Sequence, residues 1–189
     1  NYSVAGFSGW HHVVGTFDGQ YTRLYIDGVL RASDDMGSGG NTLTYDPDNS
    51  AIVGEEAGDA GTPTGQNFAG QIDELRFWNV ARTATEIQDN MCRTLTGYEA
   101  DLVGYYRFDQ QATSMQLLAY DWSPTANNGV LQMGMDTNSW VASTAFNTWI
   151  GSESNAWTTA ANWGASAVPG ASSNIGVPDY SVHNAWPVA

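Results

Sequence analysis

A chain of 189 residues, 42% of them hydrophobic, with 21 glycines and eight tryptophans, suits a turn-rich sandwich or barrel rather than a disordered polypeptide. Twenty acidic residues stand against six arginines and no lysine, for a net charge of −14. Nucleic acid is therefore not expected as a partner, because phosphate binding needs a basic surface, whereas cations and solvent are favoured. No run approaches the ~18 apolar residues of a membrane span, so membrane insertion is not expected either.

The chain centres on three strands read from Trp10 to Ser33, separated by Asp18-Gly19 and Asp27-Gly28. Asp-Gly flanked by β-branched and aromatic residues is a strong hairpin signal, since primed turns need positive φ. On the middle strand Leu24 and Ile26 share one face and Tyr21, Arg23 and Tyr25 the other. One face can then pack on a core while the other meets solvent or a ligand. His11 and His12 are adjacent on a strand and point to opposite faces, so they do not jointly ligate one zinc.

Asp34 to Asn49 reads as a surface loop crossed by Leu43 to Tyr45, and Ala51 to Gly54 as a strand. Glu55 to Asn67 is a second loop, long enough to be functional rather than idle. Gly70 to Trp78 is the next strand, where a bulge near Asp73 would turn Ile72, Leu75 and Phe77 inward. Thr83-Ala84-Thr85-Glu86 is a capping box opening a short helix to about Arg93, with Ile87 and Met91 on one face. The lone cysteine, Cys92, sits there as a small buried residue without an internal disulfide partner. Leu102 to Phe108 and Val130 to Met133 follow as strands, and Trp140-Val141 closes this part. From Thr148 the texture becomes tryptophans spaced by Ser, Thr, Ala, Asn and Gly, which places a boundary near residues 144–147.

Gly9 to Gly19, Leu24 to Gly28, Phe68 to Asn79 and the helix with Glu86-Ile87 together resemble a laminin-G-like domain of the concanavalin A-like lectin and glucanase superfamily. The resemblance covers roughly residues 1–143, with 144–189 resembling the start of a β-rich repeat found in large bacterial surface proteins. It implies an all-β, antiparallel jelly-roll sandwich with one short helix and a second small β-rich module. Such jelly rolls carry their first half before the Trp-His-His-Val strand, and here nine residues precede it. Half of the sandwich is therefore expected either upstream in a longer protein or on another chain.

Glu56, Asp59 and Gln66 form the sharpest candidate site, because Ca²⁺ takes six to eight oxygen ligands and a Gly-containing acidic loop can wrap them round it. Ile52 to Glu56 followed by Gln66 and Gly70 is similar to the calcium loop of the pentraxins, in which Glu56 and Gln66 fall on ligand positions and Asp59 substitutes by a shift of one. Ala57 and Gly58 depart from that pattern. The alternative is a solvated acidic loop. Tyr21 and Tyr25 are candidate ligand-binding residues, since aromatic faces stack on the apolar faces of sugars, though core packing uses aromatics too.

Glucanases of the superfamily need acid and nucleophile carboxylates flanking the sugar bond. In Gln71 to Leu75 the two corresponding positions would be Gln71 and Leu75, which can do neither job, so no catalytic residue is expected. The reading is a noncatalytic adhesion module, extracellular or at the cell surface, contacting glycan or a surface protein. Two alternatives stand beside it. One is a subunit of an extracellular filament or layer completed by strands of neighbouring copies, the other an ancillary module of a secreted polysaccharide-degrading enzyme.

Overall fold

The computed structural model describes residues 9–38, 42, 51–57, 63–109, 118–131, 135, 139–141, 145, 147–148, 158 and 175–176. Strands β1 (Val13–Phe17), β2 (Tyr21–Ile26) and β3 (Val29–Asp35) form an antiparallel sheet in the order β1-β2-β3. The β2–β3 turn is the expected primed pair, with Asp27 at φ 52° and Gly28 at φ 72°. The β1–β2 turn is not. Only Gly19 is left-handed there, and the Asp18 carboxylate closes the turn by accepting the backbone N–H groups of Gln20 at 3.0 Å and Tyr21 at 2.7 Å. Asp18 offered a side-chain acceptor, and that local bond outcompeted the positive-φ alternative.

Leu24 pairs with Ala32 and Tyr25 with Leu30, which leaves Arg31 as an extra residue on β3. Below this irregularity Tyr25 and Ile26 are both buried, although consecutive strand residues point to opposite faces. The expectation of one open face along β2 therefore fails at this end. The helix α1 (Ala84–Asn90) reaches the turn that follows them. Gln88 Nε2 donates to the Gly28 carbonyl at 2.9 Å, and a Cβ on Gly28 would lie 2.9 Å from Gln88 Cγ and 3.1 Å from Met91 Sδ. Glycine at this turn thus supplies both the backbone angle and the close approach.

The helix begins as its sequence dictates. Thr83 Oγ1 accepts the Glu86 N–H at 3.3 Å, and Glu86 Oε2 accepts the Thr83 N–H at 2.8 Å. It ends at Asn90, three residues short of the expected Arg93, with Ile87 as its buried contact.

Strands β4 (Glu55–Ala57) and β5 (Pro63–Asn67) pair as an antiparallel hairpin. This corrects two expectations: Ala51 to Gly54 is not a strand, and the stretch read as a structureless loop carries both strands. β6 (Leu75–Trp78) pairs with β7 (Leu102–Tyr106). β6 starts five residues later than expected because Glu74 at φ 53° breaks the extended chain, and the bulge falls between Phe77 and Trp78 rather than near Asp73. Ile72 and Phe77 are exposed and only Leu75 is partly buried, so the inward facing expected of all three does not occur. β7 ends at Tyr106 because Phe108 at φ 54° turns the chain.

Leu95, Leu102 and Tyr105 form a buried cluster with Trp78 packed against it. β8 (Leu118–Ala119) and β9 (Gly129–Val130) make a small antiparallel pair, and of the strand expected over Val130 to Met133 the last residues lie outside the described ones. β10 (Asn147–Thr148) and β11 (Ile175–Gly176) pair in parallel, against the antiparallel rule of the rest. Leu43 to Tyr45 lies outside the described residues. The architecture is mostly β, in antiparallel sheets, with one short helix among the described residues.

Candidate functional site

The backbone brings Glu56 and Gln66 onto the two strands of one hairpin. Glu55 pairs with Asn67 and Ala57 with Pro63, so Glu56 stands opposite the three-residue stretch Thr64-Gly65-Gln66. The register thus places the two positions on one short hairpin segment. Asp59 lies outside the described residues. Among those residues no group of three or more His, Cys, Asp or Glu is gathered round a metal position.

The two tyrosines chosen from strand alternation are not alike. Tyr25 is 7% exposed and belongs to the packed end of the hairpin, where a sugar has no ring face to meet. Tyr21 is half-buried, and the Arg23 guanidinium lies 4.7 Å from its ring centroid while pairing with Asp18. The structure does not bring the two rings together as one platform.

The histidines fasten the first hairpin. His11 Nδ1 lies 2.8 Å from Asp27 Oδ2, and the His12 N–H donates to Asp27 Oδ1 at 3.0 Å. Burial would raise the Asp27 carboxyl, but these contacts hold it below its ordinary value. His12 is pushed down to about 4, first by burial and then by the charge of Arg76.

Glu74 is the most enclosed carboxylate near the catalytic-looking stretch. It accepts Arg76 Nη2 at 2.8 Å and the Tyr105 hydroxyl at 2.7 Å, with Arg107 at 4.0 Å. Arg76 also donates to the carbonyls of Asn90 at 2.7 Å and of Arg93, tying β6 to the end of the helix. Burial raises the Glu74 carboxyl against the pull of these partners. These partners are cations and a hydroxyl of the scaffold, so the arrangement locks β6, β7 and the helix terminus together.

Aromatic rings fall into two groups. Phe77, Tyr106, Phe108 and Trp140 run in a row with centroids 6.2, 6.2 and 6.1 Å apart, and Gly104 leaves space for the Phe77 ring to lie across β7. Three of the four are half-buried, so this row is a packing seam. Tyr98 and Trp122, by contrast, are 81% and 51% exposed. Both sit in loops fixed by a carboxylate. Glu99 accepts the Thr96 N–H at 2.8 Å, the Thr96 hydroxyl at 3.0 Å and the Gly97 N–H at 3.0 Å. Asp121 accepts the N–H groups of Tyr105 at 2.9 Å, Ser123 at 2.8 Å and Asn127 at 2.9 Å, and the Trp122 N–H donates to the Tyr105 carbonyl at 2.7 Å. The loops touch: a Cβ on Gly97, at φ 91°, would lie 2.2 Å from the Trp122 carbonyl oxygen. Sequence reasoning missed this pair. The available signal was an aromatic residue placed inside each of two turn motifs, Thr-Gly-Tyr-Glu and Asp-Trp-Ser-Pro.

Residues 2–88 match the Laminin_G_3 family of the concanavalin A-like lectin/glucanases superfamily. The laminin G-like match takes in β1 to β6 and enters the helix, and it stops well before the expected limit of residue 143. No curated protein matches the chain. Among solved structures it is similar to a candidate carbohydrate-binding protein from Bacteroides ovatus, at 25% identity and a TM-score of 0.46, over 65% of this chain and 36% of that one. It is also similar to part of an S-layer domain-containing protein from Clostridium thermocellum, at 22% identity and a TM-score of 0.29, over 47% of this chain and 41% of that one. The chain thus spans less than half the length of either. No helix among the described residues is long and apolar enough to cross a membrane.

Proposed function

We propose that the chain is a noncatalytic carbohydrate-binding module that works at or outside the cell surface. The observation that carries this reading is the match of residues 2–88 to a superfamily of lectins and glucanases. The chemistry of the carboxylates supports the lectin side. Glycoside hydrolysis needs two carboxylates free to act on one bond, whereas Glu74, Glu99 and Asp121 each spend their oxygens on scaffold donors. Exposed aromatic rings on stiff loops support it as well, because a ring held in place stacks on a sugar with little further loss of freedom.

A Ca²⁺ ion held by Glu56, Gln66 and Asp59 is part of the proposal, and the hairpin register of the first two supports it. The ion would supply charge and coordination sites for sugar hydroxyls at that end of the molecule. The test is retention of the full chain on immobilised laminarin, xyloglucan, galactomannan and dextran, with calcium and with EDTA. Retention on at least one is expected, and weaker retention in EDTA supports the ion. Elution in the void from all of them under both conditions refutes the binding reading, and equal retention in EDTA removes the calcium.

A further inference from the structure

Trp122 and Tyr98 lie beyond the residues that match the family, so their exposure calls for its own account. An indole and a phenol left in water keep apolar surface hydrated, which is unfavourable. Each nevertheless stands on a backbone immobilised by several hydrogen bonds to one carboxylate, and the two loops are in van der Waals contact through Gly97 and the Trp122 carbonyl. The Arg107 guanidinium lies 5.1 Å from the Trp122 ring centroid and is itself held by Asp109 at 2.7 Å, so one face of the indole is backed by a fixed cation. Beside that cation Trp122 still keeps about half of its surface in solvent, which a ligand can reach.

We infer that Tyr98 and Trp122 form a sugar-stacking subsite for a neutral polysaccharide, with the indole and the phenol meeting the apolar faces of pyranose rings. This rests on the carbohydrate-binding reading and locates it. The preference for an uncharged polymer follows from charge: the chain carries −14, and Glu99 and Asp109 flank the two rings in sequence or in space. An anionic polysaccharide would approach against that field. Preorganisation is what makes the pair more than exposed apolar surface, since stacking affinity is greatest where the loop has already lost its freedom on folding.

The test compares the full chain with Tyr98→Ala, Trp122→Ala and Phe68→Ala on whichever of the four neutral polysaccharides retains it, and on alginate. Phe68 is 60% exposed but lies away from these two loops in sequence, and it serves as the control for general stickiness. The expected result is a loss of about tenfold in affinity for Tyr98→Ala and for Trp122→Ala, no change for Phe68→Ala, and weaker binding of alginate. Tyr98→Ala touches a side chain that is almost wholly in solvent, so its thermal unfolding midpoint should match the parent and the loss cannot be ascribed to misfolding. Retention of the parent with unchanged affinity in both variants overturns the subsite and leaves the carbohydrate-binding reading standing. An equal loss in Phe68→Ala overturns it too, because the binding is then unspecific. Failure of the parent to bind any of the polymers overturns both readings together.

Discussion

Replacing Asp121 by asparagine preserves the shape of the side chain and changes only what its two end atoms can do. Asp121 is 7% exposed, and Oδ1 accepts the N–H groups of Tyr105 and Ser123 while Oδ2 accepts the Asn127 N–H and the Thr125 hydroxyl, which has the Val103 carbonyl as a second acceptor. An amide can keep its oxygen toward Tyr105 and Ser123. Those two bonds then lose the charge of the acceptor, worth about 1 kcal/mol each. The amide nitrogen faces the Asn127 N–H, donor against donor, and leaving that group without a partner costs a further ~1–3 kcal/mol. The sum is about 3–5 kcal/mol, reduced slightly because a neutral amide is cheaper to bury than a carboxylate. Urea denaturation at pH 7 followed by tryptophan fluorescence measures it. Burial raises the Asp121 carboxyl, but the backbone donors outweigh it and the pKa lies below the ordinary value. The stabilisation is therefore present above about pH 4 and fades as pH falls through the lowered folded value, so parent and variant should converge in acid. A difference under ~1 kcal/mol at pH 7, or one that does not shrink in acid, would refute the account of this loop.

His12, held at about 4 instead of 6.5, binds its proton more weakly when folded, so its stabilising effect is complete above pH 6.5 and is lost as pH falls toward 4. Allowing for solvent screening the loss is about 2 kcal/mol, and His12→Gln should flatten urea midpoints across that interval relative to the parent. Gly97→Ala combines a left-handed φ with a methyl 2.2 Å from a carbonyl oxygen and should cost about 3 kcal/mol, while Gly37→Ala, at φ 85° with open space around it, should cost only about 1. Equal thermal shifts for the two glycines would sink the claim that the loops touch. Tyr105→Phe removes the hydroxyl that joins Glu74 to the Leu95 N–H and should cost about 2–3 kcal/mol at pH 7. Burial raises the Glu74 carboxyl above its usual 4.5, so the cost should shrink as pH falls through that range and the ionised acceptor disappears; denaturation at pH 7.5 and pH 4.5 compares the two.

Legibility of the sequence followed the range of the interactions. The meander, the primed turn at Asp27-Gly28 and the capping box at Thr83 are set by contacts within a few residues, and each stands where its residues place it. The β4–β5 hairpin was missed because Glu55 to Asn67 is rich in Gly, Ala and acidic residues and contains a proline, a composition with little strand preference that strand pairing overrides. Burial was misjudged wherever a distant element decided it. Alternation put Tyr25 on the face opposite Leu24 and Ile26 and left open which face packs, because that depends on what crosses it; Tyr25 and Ile26 are both buried. The proximity of the two exposed aromatics was invisible for the same reason: their loops meet where Gly97 abuts the Trp122 carbonyl, 25 positions apart in the chain. Glu74 read as part of a regular strand and proved to sit at a positive φ that points its carboxylate into the Arg76–Tyr105 cluster.

The absence of lysine acquires a physical meaning from the arginines. Arg23 pairs with Asp18 and lies over Tyr21; Arg76 pairs with Glu74 near the Tyr105 ring; Arg82 pairs with Glu86 and lies 4.3 Å from the Trp78 centroid; Arg107 pairs with Asp109 and covers Trp122. A planar guanidinium can offer its edge to a carboxylate and its face to a ring at the same time, which a compact ammonium cannot. Four of the six cations thus join a carboxylate to an aromatic ring, and in a chain so short of positive charge each one serves two bonds. At Tyr105 the result is internal, since that ring is wholly buried. At Trp122 it is not: the cation lies against an indole that is still half in solvent, so the same device that closes the core at Tyr105 holds at Trp122 a ring that water reaches, the surface on which the stacking inference rests.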